Sequence, residues 1–152
     1  MIIVMATVEP QITDVAHIVQ LAVAPVFLLS GVGVTLGLFT NRLGRIVDRA
    51  RLLEGQLVND RNNKDLHQHL MVLARRARYI NTAITLGTIS GLMVALTVVL
   101  LFTSALAGVR LSTAIAVAFV AAMLALTAAL LVFLIEVRFA TATLRIGGHL
   151  EL

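Results

Sequence analysis

Asn41-Arg42-Leu43-Gly44-Arg45-Ile46-Val47-Asp48-Arg49-Ala50-Arg51-Leu52-Leu53 is the stretch on which the fold turns. It leaves one long apolar run and opens a polar segment. That segment closes at Arg75-Arg76-Ala77-Arg78, where a second apolar run begins. Nine of the 12 Lys and Arg residues lie between Arg42 and Arg78. Leu43, Ile46, Ala50, Leu53 and Leu57 are spaced three, four, three, four, which is one stripe of a helix. Arg42, Arg45, Arg49 and Gln56 share a different face. The stretch is therefore an amphipathic helix continuous with an apolar one.

Composition makes the apolar runs membrane spans. Of 152 residues, 59% are hydrophobic and 13% charged, and mean hydropathy is +0.98. Soluble domains are about 45–50% apolar and about 25% charged, and a domain this small leaves a large share of its surface outside. The net charge of +4 and a pI near 11.1 do not point to nucleic acid, because the charges border apolar spans. Anionic lipid headgroups are the simpler partner. No Cys is present, which removes disulfides and thiolate chemistry.

Outward from the basic stretch, the expected class is an all-α membrane protein of three transmembrane helices in a single membrane domain, 1–152. Residues 1–16 form an external tail without Lys or Arg and without the basic start of a signal peptide, and are expected to be retained. Pro10 argues against helix before it, and Thr13 or Asp14 is the expected N-cap. The first span covers 17–40, with a kink expected at Pro25. Residues 41–79 form a basic antiparallel helical hairpin that extends the first and second spans. Its turn is Val58 to Asn63, and its second arm carries Leu66, Leu70, Leu73, Ala77 and Ile80 at heptad spacing. Each arm, about 17 residues, reaches about 25 Å. The second span is 80–107, and Gly108 to Arg110 turn into the third, 111–135. Residues 136–152 are a tail.

Lys and Arg mark the cytoplasmic side of a membrane protein. The loop between the first two spans holds nine, and the outer turn only Arg110. The hairpin and the C-terminus are therefore expected inside and the N-terminus outside.

The pattern from Asn41 to Leu53, with Arg75-Arg-Ala-Arg-Tyr-Ile-Asn-Thr-Ala-Ile84, resembles an uncharacterised bacterial domain-of-unknown-function family of small three-span membrane proteins. The resemblance covers nearly the whole chain. It implies a bacterial inner (plasma) membrane location and supplies no activity or catalytic residues.

Catalysis finds no support in the residues. His67 and His69 are two apart and point about 200° apart on a helix, and His17 and His149 are isolated. No metal or cofactor motif is present, so none is expected, and the protein is not expected to be an enzyme. Gly31-Val-Gly33-Val-Thr-Leu-Gly37 follows no strand and lies in an apolar run, so it marks helix packing rather than a nucleotide loop. Gly33 and Gly37, with the small ridge of Ala83, Gly87, Gly91 and Ala95, are the expected helix-packing positions.

Two constellations remain. Arg42, Arg45, Arg49, Arg75 and Arg78 are candidate contacts for anions or lipid headgroups, each contributing roughly 1 kcal/mol near an anionic leaflet. Asp48 and Glu54 stand three residues from neighbouring arginines and neutralise part of that charge locally. Asn81, Thr85 and Thr88 form a polar stripe, either bonded to their own helix or lining a water-filled path. No charged residue lies deep in a span, which counts against a proton relay. Glu136, at the inner boundary, is expected to meet Arg75, Arg76 or Arg78. Two functions fit: a homo-oligomeric ion channel or pore with a basic vestibule, or a structural or adaptor protein whose hairpin binds a partner or anionic lipid.

Overall fold

The computed structural model describes residues 2–59 and 63–146. It is all helical: α1 (Ile2–Asn59), α2 (Lys64–Ala107) and α3 (Ser112–Ile146). Residues 60–62, in the middle of the expected turn, and the tail beyond Ile146, with His149, lie outside the described residues. The helices hold 58, 44 and 35 residues. At 1.5 Å per residue α1 is about 87 Å long and α2 about 66 Å, whereas a hydrocarbon core is about 30 Å thick. The surplus is the hairpin.

Three helical segments, Ala16–Val58, Lys64–Ala107 and Ser112–Arg138, are long and apolar enough to cross a membrane. The outer surface agrees with that length and composition: Phe27, Val34, Leu92, Leu124 and Leu131 are exposed, while the interior is small and close-set, with Ala83, Ala122 and Ala129 fully buried. A soluble monomer rarely shows so much contiguous apolar surface. In lipid every backbone group must be satisfied within the chain, which favours unbroken helices.

The helices depart from the sequence expectation in three places, and that requirement explains the one within an apolar run, at Pro25. Helix α1 begins at Ile2, not after Pro10, so Thr13 and Asp14 are inside it rather than capping it. It also runs through Pro25 without a break. A proline removes one backbone hydrogen bond and costs about 3 kcal/mol; abandoning the helix in an apolar layer would strand several such groups. Likewise α3 continues past Glu136 to Ile146.

Local chemistry sets the visible ends. Asn63 caps α2, its Oδ1 accepting from the amides of Asp65 (3.1 Å) and Leu66 (3.4 Å), and Asp65 adds negative charge at the positive end of the helix. Gly108 ends α2 at φ 64°, a left-handed conformation open to glycine at no steric cost.

Helix α2 is the centre of the bundle, packed by α1 along one side and α3 along another. Both pairs are antiparallel. Leu36 and Val32 of α1 meet Gly87 and Gly91 of α2 in turn, and α3 follows α2 from Ala122 beside Ser90 to Glu136 beside Arg76. The Ser90 hydroxyl donates to the Ala122 carbonyl across the interface at 2.8 Å. The core includes Phe39, Ile46, Leu73, Ile80, Ala83 and Ala129, flanked by Leu43, Ala50, Leu53 and Ala77. The heptad stripes of both hairpin arms thus turn inward and continue into the core of the spans.

Candidate functional site: an arginine cleft closed by Glu136

The three helices converge where the first apolar run ends. Arg42, Arg45 and Arg49 follow one another along α1, separated by three and four residues. Helix geometry therefore puts them on one face. Arg76 reaches the same place from α2. It follows the inward Leu73 by three residues, so it flanks the buried stripe. Together with Ile46 and Leu73 these four arginines line a cleft of about 350 Å³. No acidic side chain is among its lining residues.

Glu136 of α3 sits behind the cleft and is completely buried. Its Oε1 accepts a hydrogen bond from Arg76 Nε at 3.0 Å and pairs with an Arg76 terminal nitrogen at 2.9 Å. Its Oε2 lies 3.0 Å from Arg42 Nε. The distance is that of an ion pair, but the N–H is not aligned on the oxygen, and Oε2 accepts no hydrogen bond. The two guanidiniums keep some contact with solvent, their side chains being 29% (Arg42) and 26% (Arg76) exposed. The carboxylate has none, so it depends on them for its compensation.

Aromatic packing holds Arg42 in place. Its guanidinium carbon lies 5.4 Å from the centroid of the Phe133 ring, a cation–π distance. Phe133 leans on Phe39, with ring centroids 4.6 Å apart and planes inclined by 34°. Phe133 and Glu136 are three apart on α3, so one helical face supplies both the ring and the carboxylate.

The other expected residues lie as follows. Arg75 and Arg78 are exposed and do not line the cleft. Glu136 joins Arg76, one of its three expected partners, but also Arg42, on a helix two elements earlier in the chain. Asn81, Thr85 and Thr88 are exposed on α2, on the side turned away from its packed neighbours. The hydroxyls of Thr85 and Thr88 donate to the carbonyls of Asn81 and Ile84, each at 2.9 Å, and line no path within the single chain. Along the small ridge, Ala83 and Gly87 are buried and Gly91 and Ala95 half-buried. A Cβ at Gly87 would stand 2.9 Å from Leu36 Cδ2, whereas one at Gly33 or Gly37 would meet nothing within 4 Å. The last two therefore do not mediate packing inside this chain. His67 and His69 are exposed, and among the described residues no group of three His, Cys, Asp or Glu is arranged to hold a metal.

Fold and site together define a multi-pass membrane protein with an arginine–carboxylate junction where its three helices meet. The chain belongs to the family described as Protein of unknown function (DUF2721), whose profile matches residues 22–146. That match takes in most of α1, all of α2 and α3, and every residue of the cleft. No curated protein and no solved structure matches the chain.

Proposed function

We propose that this is a homo-oligomeric structural or adaptor protein of the bacterial inner membrane whose cleft holds the headgroups of anionic lipids on the cytoplasmic side. The observation that carries this is the gathering of Arg42, Arg45, Arg49 and Arg76 around one cleft without an acidic lining residue, just past the end of an apolar run. Arginine forks match phosphate geometry. The concentration of Lys and Arg between Arg42 and Arg78 supports a cytoplasmic hairpin and C-terminus with the N-terminus outside.

Reversing Arg45 and Arg49 to Glu tests it, since both are exposed and neither pairs with Glu136. Retention of phosphatidylglycerol through purification, read by native mass spectrometry, is expected to fall at least about tenfold, from the loss of two charge-assisted contacts. Undiminished retention would remove the cleft as the headgroup site.

A second reading, an ion channel or pore, is favoured by the outward face of Asn81, Thr85 and Thr88. A closed ring of copies would turn these stripes toward one another. Substituting Leu for Thr85 and Thr88 is then expected to change conductance in liposomes. Unchanged flux in a demonstrably active preparation would exclude them as pore lining.

A further inference from the structure

We infer that the cleft is a site for a polyvalent phosphate group, carrying two or more negative charges on neighbouring phosphates, rather than for a single phosphodiester; this deepens the headgroup reading and rests on it.

The charge balance comes first. Four guanidiniums surround the cleft, and Glu136 is the carboxylate that faces them from α3. One negative charge against four positive leaves three uncompensated at the edge of an apolar layer. A phosphodiester, with one charge, would leave two still unmatched. Two linked phosphates, which carry two or more charges along the cleft, come much closer to balance. Asp48, on α1 between Arg45 and Arg49, is exposed and absent from the lining.

Geometry agrees. Arg42 and Arg49 are seven residues apart, which separates them by about 10 Å along the helix axis. The cleft is thus an elongated track, with Arg42 and Arg76 joined by Glu136 toward one end, Arg49 at the other and Arg45 between them. Ile46 and Leu73, both buried, line it with the four arginines. Its volume of about 350 Å³ falls at the small end of ligand sites.

Glu136 prepares one end of the track. It engages Arg76 through Nε and a single terminal nitrogen, and Arg42 through Nε. A guanidinium has five N–H donors, so each retains donors that the carboxylate does not use. Both forks are fixed before a ligand arrives, which reduces the ordering cost of binding. Charge needed only to orient the chain in a membrane requires no buried carboxylate behind it.

The shared chemistry can come from a soluble diphosphate or from a two-phosphate lipid, and one experiment separates them. The full chain is placed in phosphatidylcholine nanodiscs and titrated with pyrophosphate and with orthophosphate by calorimetry. Parallel discs carry either diphosphatidylglycerol or phosphatidylglycerol at matched charge, with retention read by native mass spectrometry. We expect a preference of at least about tenfold for the doubly phosphorylated probe in one of the two arms, the margin that one additional charged hydrogen bond gives. Preference in the calorimetric arm assigns a soluble ligand, and preference in the lipid arm assigns a lipid. Either preference is expected to disappear in R45Q/R49Q and to persist in R51Q/R75Q, which removes the same charge from exposed positions outside the cleft. Equal affinity for single and double phosphates overturns the inference and leaves the headgroup site standing. Absence of any anion binding overturns both. Equal losses in the two double variants overturn the inference in favour of diffuse charge.

Discussion

Replacing Glu136 with alanine is expected to destabilise the protein by about 3 kcal/mol, the low end of what breaking a buried ion pair costs. The low end applies because Arg42 and Arg76 are each about one quarter exposed and can turn partly to water. Three losses combine: the hydrogen bond and ion pair with Arg76, the pairing with Arg42, and the packing of a fully buried side chain. Glu136→Gln keeps the shape and loses the charge, so it is expected to fall between wild type and alanine. Reversible unfolding in mixed detergent micelles measures the difference. In a double-mutant cycle, Glu136→Ala and Arg76→Ala should be less than additive by at least about 1 kcal/mol, as for partners in direct contact. Additive effects, or an alanine variant as stable as wild type, would mean that the arginines are solvated independently and that the junction does not hold the helices together.

The second large effect is expected at Gly87. A Cβ there would come within 2.9 Å of the Leu36 Cδ2 methyl, closer than carbon atoms tolerate. Leu36 is flexible at its tip, so Gly87→Ala is expected to cost only about 1 kcal/mol. Gly87→Val adds two branches that a rotamer change cannot clear. About 2–3 kcal/mol is expected as α1 and α2 are forced apart, in the range for overpacked interiors. Gly33→Val and Gly37→Val are the controls, because a Cβ at either meets open space. Their effect on the stability of the single chain is expected within about 0.5 kcal/mol, the usual bound for surface changes. A Gly87→Val protein as stable as those controls would refute the close approach of the two helices.

Much of this fold is written in period and spacing. Ile46, Leu73 and Ile80, placed inward by their heptad positions, are all buried. The helical hairpin and the three apolar runs follow from the same local patterns. What spacing could not convey was the junction. Arg42 and Glu136 lie on helices that are not consecutive, and nothing in periodicity says which basic residue a distant carboxylate will meet. The signal was present but faint: one acidic residue directly after a long apolar run, three residues beyond Phe133. The prolines misled for a different reason. Local preference opposes helix at both, but Pro25 lies in an apolar run, where broken backbone bonding is penalised more than one missing N–H; nothing in the structure explains the helix through Pro10. The glycines divide similarly. Gly33 and Gly37 look like packing positions in the sequence, yet the rotation of α1 turns Leu36 and Phe39 toward α2 and leaves both glycines facing away.

Because the carboxylate that gathers the arginines comes from the last helix, the order of synthesis matters. Arg76 emerges sixty residues before Glu136, a delay of about 3–12 s at roughly 5–20 residues per second. Once Ala107 has followed and α2 is whole, the nascent chain has two helices and a surplus of positive charge at their common end. The third helix brings the counter-charge and the aromatic ring that supports Arg42 in the same turn. A ribosome that stops before residue 136 therefore leaves a two-helix product with Arg42 and Arg76 unmatched, a defect that a membrane quality-control protease could read as incompleteness. The buried counter-charge of Arg42 and Arg76 thus depends on the helix that is made last of the three.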